Sequence, residues 1–133
     1  MLTDDFESRY FDIDGDQDVV VARFVTKRLT DEDNIEQLGH ELVALVDKLQ
    51  HRHVVLDVNS LDYVTSSVIG KWITLHRRLD RAGGRMAMCR VRDSLADILG
   101  TAKLLQYFNV ADDFDAARES CLAARSGEAD AAC

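Results

Sequence analysis

Three hydroxyl side chains stand in a row at Thr65, Ser66 and Ser67, between an apolar segment and an amphipathic one. One of them can cap a helix by accepting a backbone N–H hydrogen bond, but one cap explains one hydroxyl and not three. A phosphate at such a position would meet free backbone N–H groups and the positive end of the helix dipole. It would also add about −1.5 to −2 charges at one point. The row therefore indicates a binding surface controlled by phosphorylation, with simple capping as the alternative.

Other residues with chemical potential form weaker patterns. His51 and His53 would share one side of a strand, but without a third ligand nearby they are better explained as surface residues than as a metal pair. Asp57 and Asp62 flank a predicted loop and could do acid–base work, although loops and turns favour aspartate anyway. Cys89 lies in a predicted buried strand, where cysteine behaves as a small hydrophobic residue.

Motifs of the common enzyme classes do not occur in the chain. It contains no dinucleotide-binding glycine pattern, no P-loop, no nucleophile elbow and no zinc-protease helix motif. We therefore predict a protein that is not an enzyme and that carries neither a cofactor nor a metal.

The composition fits one globular domain. The chain has 133 residues, of which 47% are apolar and 30% charged, and it has no proline. Its net charge of −8 disfavours nucleic acid and anionic lipid as partners. No apolar run approaches the ~20 residues that span a bilayer, and no signal peptide is recognisable at the start. Scattered cysteines suit a reducing compartment, so we expect a cytoplasmic protein without a membrane span.

Hydrophobic periodicity predicts alternating strands and helices. The predicted strands are 9–13, 19–25, 53–58, 85–91 and a short edge strand at 107–110. The predicted helices begin near Thr30, Val68, Asp93 and Asp113, and the last one ends near Ala124. The strand–helix–strand unit from residue 53 to residue 91 should be a parallel crossover, and Trp72 and Ile73 should be substantially buried. We expect one domain over residues 1–124 and a flexible tail over 125–133.

The ordered series of segments resembles the STAS domain. The matching segments are 54–58, 65–70, 75–79, 83–85, 98–101 and 107–112. The resemblance covers residues 10–124 and implies an α/β fold, a mixed β-sheet of four to five strands with about four packed helices.

Stand-alone STAS proteins of bacteria are typically anti-sigma factor antagonists. The resemblance implies that the partner is an anti-sigma factor, a serine kinase of the histidine-kinase-like ATPase group, which phosphorylates a serine and so ends the complex. A phosphatase would reverse the modification.

The family motif Asp-Ser-Ser-Gly-x-Gly falls on residues 65–70, so the resemblance makes Ser66 the phosphorylation site. Thr65 stands in place of the aspartate and Val68 in place of the first glycine, which leaves Thr65 and Ser67 as alternative acceptors. The loop after the second strand also departs, with residues 27–30 reading Lys-Arg-Leu-Thr where Gly-Glu-Leu-Asp is usual.

A partner is expected to cover the start of the second helix and the adjoining loops. The predicted contact residues are Val64, Thr65, Ser66, Ser67, Val68, Ile69, Thr30, Asp31 and Arg92. The basic residues between Lys71 and Arg92 are either a solvated helix face or a complement to an acidic partner. Two other functions remain open: an unphosphorylated STAS scaffold in a larger sensory or transport assembly, and a small enzyme that uses Asp57 and Asp62.

Overall fold

The computed structural model describes residues 10–15, 18–30, 34–47 and 53–131, with side chains up to residue 122. Within these residues, seven strands and four helices follow one another along the chain. The strands are β1 (Phe11–Gly15), β2 (Val19–Phe24), β3 (Arg28–Leu29), β4 (His53–Asp57), β5 (Tyr63–Val64), β6 (Arg85–Cys89) and β7 (Val110–Ala111). The helices are α1 (Ile35–Asp47), α2 (Ser66–Arg81), α3 (Asp93–Thr101) and α4 (Phe114–Ala131).

The main sheet has five strands in the order β1-β2-β4-β6-β7. β1 pairs antiparallel with β2, and the other neighbours pair parallel. β4 lies in the centre with all five residues buried, as expected for a β-branched run covered on both faces. The mixed sheet with four helices confirms the predicted fold class.

Alternation along the strands divides the core between the two faces of the sheet. Val54 and Leu56 point into the larger core with the apolar faces of α1 and α2, whereas Val55 joins a smaller core under α4. Trp72 is fully buried in the larger core, as predicted. Ile73 is only half-buried at its margin, because Val68, Trp72, Leu75 and Leu79 form the inner stripe of α2.

Several boundaries differ from the predictions. α1 begins at Ile35 instead of near Thr30, and it is capped by Asn34, whose Oδ1 atom accepts the Gln37 N–H at 3.0 Å. β6 ends at Cys89, since Arg90 takes a positive φ of 56° that breaks the strand.

The C-terminal third also differs from the prediction in detail. α3 begins at Asp93, as predicted, and Arg92 occupies its N-cap position. The edge strand β7 is Val110–Ala111, which starts later than predicted because the preceding residues form turns. α4 continues to Ala131, past the predicted end at Ala124. The domain boundary at residue 124 stays a prediction.

A second, two-stranded sheet was not predicted. β3 and β5 pair in parallel, with Arg28 opposite Tyr63 and Leu29 opposite Val64. Strands of two residues are too short to show a periodic pattern in the sequence. This small sheet holds the start of α2 in place, because β5 leads into it directly.

Candidate functional site

The three hydroxyl residues mark the point where β5 passes into α2. Thr65 is the N-cap residue, with φ −89° and ψ 168°, and its side chain makes no capping hydrogen bond. Its backbone N–H donates to the Leu29 carbonyl at 3.2 Å, and its carbonyl accepts from Val68 and Ile69 at 3.1 and 3.2 Å. The backbone of Thr65 therefore fixes the helix start, and no hydroxyl is used to cap it.

Ser66 and Ser67 occupy the first two positions of α2 and are both exposed. Among the described residues, neither hydroxyl has a hydrogen-bond partner. Both side chains are therefore accessible to a modifying enzyme.

The apolar residues that flank the hydroxyls take different positions. Val64 and Val68 are buried, with 2% and 0% exposure. This corrects the expectation that they contact a partner directly: they support the helix start from the core side. Ile69 is half-buried and remains partly accessible.

The predicted residues outside α2 lie at the same edge of the molecule. Thr30 follows Leu29, which pairs with Val64, so Thr30 and Thr65 leave the small sheet at the same end. Arg92 is half exposed and lies 3.1 Å from Asp62, in the loop that precedes β5. Asp31 lies outside the described residues.

Hydrogen bonds tie the loops at this edge together. Ser60 Oγ lies 2.7 Å from the carbonyl oxygens of both Phe24 and Thr26. The Asp62 N–H donates to the Lys27 carbonyl at 2.8 Å. The loop after β2 and the loop after β4 are thereby joined beside the start of α2.

Arg28 and Tyr63 contact each other at this edge and were not identified from the sequence. Arg28 lies over the ring of Tyr63 at 5.1 Å from its centroid, and Tyr63 is 41% exposed. Val25, three residues before Arg28 in the chain, is 54% exposed. The only sequence signal for Arg28 was its place in residues 27–30, which differ from the usual family sequence. We call Arg28, Thr30, Tyr63 and residues 65–67 the hydroxyl end.

The carboxylate of Asp57 stabilises the loops beneath the hydroxyl end. It is 2% exposed and bonded to Arg90 Nη2 at 2.8 Å and to Arg23 Nε at 3.3 Å, and it accepts the Asn59 N–H at 3.2 Å. Burial alone would raise the pKa of Asp57, but these hydrogen bonds outweigh burial and lower the pKa below its ordinary value. Asp62 is likewise paired, with Lys27 and Arg92. Both carboxylates are therefore held by cations of the surrounding loops.

The histidine and cysteine candidates occupy buried positions where they are described. His53 is 1% exposed at the start of β4, which corrects the predicted surface position, and His51 lies outside the described residues. Burial raises the pKa of the Cys89 thiol to about 12, in keeping with a small hydrophobic residue. In the part of the chain that the structure describes, no three His, Cys, Asp or Glu side chains come together as a metal site.

The basic residues between Lys71 and Arg92 do not form one continuous face. Arg78 pairs with Asp47 at 2.6 Å and Lys71 with Glu36 at 2.8 Å, so these two cations join α2 to α1. Arg85, Arg90 and Arg92 bond to Asn109, Asp57 and Asp62, respectively. Only Arg77 and Arg81 are exposed without an ion pair to another described residue. Most of the run therefore holds the fold together.

A groove separates the beginnings of α1 and α2 next to the hydroxyls. It has a volume of about 700 Å³. Its lining residues are Asn34, which caps α1, Ile35 and Glu36 from α1, and Ser67, Gly70, Lys71 and Thr74 from α2.

Comparison with known proteins places this architecture in a family. The family model of the STAS domain matches residues 7–117. The chain belongs to the STAS domain family. A candidate anti-sigma factor antagonist of Bordetella bronchiseptica, BtrV, is 33% identical over 84 residues, which is 63% of this chain and 72% of BtrV.

Solved structures of STAS proteins share the fold. A candidate anti-sigma factor antagonist from Thermotoga maritima superposes with a TM-score of 0.72 at 18% identity, over 84% of this chain and 93% of that one. The Bacillus cell fate determinant SpoIIAA in its phosphorylated form gives a TM-score of 0.61 at 16% identity, over 78% and 91% of the two chains. Among the described residues of the present chain, no helix is both long and apolar enough to cross a membrane.

Proposed function

We propose that this STAS protein is an anti-sigma factor antagonist that binds an anti-sigma factor through the hydroxyl end and is released by phosphorylation of Ser66. The observation that carries the proposal is the exposed, unbonded pair of serine hydroxyls at the start of α2, on the fold of a family whose relatives are antagonists of this type. Thr65 and Ser67 remain the alternative acceptors.

The proposed partner is a serine kinase of the histidine-kinase-like ATPase group, and a phosphatase restores the free hydroxyl. Both reactions would take place in the cytoplasm. The segments 25–30, 58–65 and 90–92 carry four cations and one carboxylate, in a chain whose net charge is −8. Lys27 and Arg92 pair with Asp62 and Arg90 pairs with Asp57, whereas Arg28 has no ion pair to another described residue and contacts the Tyr63 ring. A partner surface that complements this edge should therefore be acidic.

The physical basis of the switch is the cost of burying charge. A phosphate at residue 66 would bring a dianion into a contact from which water is excluded, which costs several kcal/mol unless a cation meets it. The fold itself should accept the phosphate, because the helix dipole favours negative charge in the first turn. The modification would thus act on binding and leave stability almost unchanged.

The test compares Ser66→Asp with Ser66→Ala against purified anti-sigma factor kinases encoded in the same genome. We expect Ser66→Asp to raise Kd about tenfold or more, equivalent to about 1.4 kcal/mol, and Ser66→Ala to bind like the wild type. Ser94→Asp is the matched control, since Ser94 is an exposed serine in the first turn of α3. An equal loss of affinity in both aspartate variants would contradict the proposal.

Phosphopeptide mapping after incubation with ATP and the bound kinase identifies the acceptor. Label on Thr65 or Ser67 alone would move the site within the cluster. Binding without label on any of the three would instead support the unphosphorylated scaffold function, for which the replacement of the family's aspartate by Thr65 is the specific observation.

A further inference from the structure

Lys71 lies one helical turn after Ser67, and both side chains line the groove between α1 and α2. Residues four apart on a helix are neighbours on its surface. Ser66 is equally exposed but is not among the described residues that line the groove. The two adjacent serines therefore differ in their access to this lysine.

The position of Lys71 is set by α1. Its aliphatic stem crosses the buried Gly39 so closely that a Cβ atom at residue 39 would lie 2.8 Å from Lys71 Cδ. Its Nζ atom is 2.8 Å from Glu36 Oε1. The Lys71 side chain is 27% exposed, whereas that of Glu36 is 76% exposed. The cation is thus held at the groove, while its anionic partner is free to move into solvent.

We propose that Ser67 is a second phosphorylation site and that Lys71 is the cation that receives its phosphate, leaving Glu36. This inference rests on the proposed phosphorylation of the hydroxyl cluster. In the modification, the Ser67 oxygen bonds to the γ-phosphorus of ATP as the bond to the bridging oxygen breaks. ADP leaves, and the hydroxyl proton passes to a base of the kinase.

The charge of the product explains why Lys71 would exchange partners. A phosphoserine carries about −1.5 to −2 charges and three acceptor oxygens, whereas the Glu36 carboxylate carries one charge and is largely hydrated. A phosphate on residue 67 would be retained by the protein itself in the groove. A phosphate on residue 66, outside the groove, would lie in the proposed partner contact and oppose binding. The two modifications would therefore have different outputs.

The experiment places phosphoserine at residue 67 or at residue 66 of the full chain by genetic encoding and follows each phosphate by ³¹P NMR during a pH titration. We expect the second pKa of phosphoserine 67 to lie about half a unit or more below that of phosphoserine 66. Both groups sit in the first turn of one helix, so the dipole acts on both. Lys71→Met, which keeps a stem over Gly39, should abolish the difference.

Equal pKa values at the two positions, or a difference that persists in Lys71→Met, would overturn the inference. If phosphoserine 67 prevents folding, the pKa values of the new carboxyls in Ser67→Glu and Ser66→Glu are compared in the same way, with the same two outcomes. Neither measurement needs a kinase or a partner. Failure here therefore leaves the binding test of Ser66→Asp unaffected, and failure of that test leaves this one unaffected.

Discussion

Two tyrosines are exposed to nearly the same extent, 41% for Tyr63 and 38% for Tyr107, but their surroundings differ. Tyr107 packs edge-on against His76, with ring centroids 4.4 Å apart, and against buried Phe108 at 5.4 Å. The one ring contact of Tyr63 to a described residue is the guanidinium of Arg28, itself exposed. The two equally exposed rings therefore differ in their contacts. Tyr107 packs against a buried aromatic residue, whereas Tyr63 contacts an exposed arginine.

The same contrast applies to the two regions around these rings. We call Leu105, Tyr107 and His76 the aromatic patch. Burial lowers the pKa of His76, so this patch remains largely uncharged. The hydroxyl end combines the exposed ring of Tyr63 with the cation of Arg28 and the exposed hydroxyls of Ser66 and Ser67, which are features of a contact surface. We therefore expect substitutions at the hydroxyl end to change binding and those at the aromatic patch to change stability.

The largest effect should come from Asp57, where stability and binding are linked. Asp57→Asn removes a buried charge that holds Arg23 and Arg90, and it should lower the free energy of unfolding by about 2–3 kcal/mol. We place the value below that of a fully buried pair because the two arginines are 44% and 43% exposed. Partner binding should weaken as well, since the loop between Arg90 and Arg92 loses its anchor. Urea unfolding and titration calorimetry measure the two effects.

The pH dependence of unfolding tests the same carboxylate. The pKa of Asp57 is lowered in the folded state, so its contribution is fully present above the unfolded value near 3.8 and is lost as pH falls through the lower folded value. The gap in stability between wild type and Asp57→Asn should therefore narrow below about pH 4. A gap that stays constant to pH 2 would contradict a paired carboxylate.

The second effect separates the two tyrosines directly. Tyr63→Ala should weaken partner binding by about thirtyfold, equivalent to about 2 kcal/mol, as exposed aromatic anchors at interfaces do. Its unfolding free energy should change less than that of a core variant, because the one ring contact of Tyr63 to a described residue is with the exposed Arg28 guanidinium. The measurements are Kd by calorimetry and unfolding by urea.

Tyr107→Ala is the matched control, because it removes a similarly exposed ring outside the hydroxyl end. It should leave Kd unchanged and lower the free energy of unfolding by about 1–2 kcal/mol through the lost contacts with His76 and Phe108. If the two variants exchanged these results, the aromatic patch would be the contact surface and the comparison would be wrong.

Long periodic segments made most of the fold predictable. The stripe of α2 and the β-branched run of β4 identified a helix and a central strand because each buries a continuous face. The hydroxyl row could also be found, since three adjacent hydroxyls exceed the need of one cap. The short strands β3 and β5 could not, because two residues carry no period.

Features that depend on tertiary neighbours escaped prediction for the same reason. No sequence pattern around Asp57 predicts its ion pair with Arg90, which is 33 residues away. The positive φ of Arg90 is likewise not predicted by a local motif. The burial of Val68 follows from the register of α2 on the sheet, which shifted the inner stripe so that Ile73 lies at its margin. Patterns along the sequence predicted the helices and strands, whereas the contacts between side chains distant in sequence could be identified only in the three-dimensional structure.

The smallest effect concerns charge, and it tests whether Arg28, the cation of the hydroxyl end, acts on a partner. Arg28→Glu should weaken binding several-fold at low salt, because it reverses a charge beside Tyr63 that would face the proposed acidic partner surface. Arg77→Glu makes the same change on an exposed part of α2 outside the hydroxyl end, so its effect should be smaller. Salt screens the interaction between exposed charges, with a Debye screening length of about 10 Å at 0.1 M and 3 Å at 1 M. The difference in binding between the two variants should therefore shrink as salt is added. Isothermal titrations at 0.05 and 0.5 M salt measure this difference. Equal losses in both variants would mean that only the overall charge matters, and a loss at Arg28 that ignores salt would assign its role to the contact with the Tyr63 ring instead.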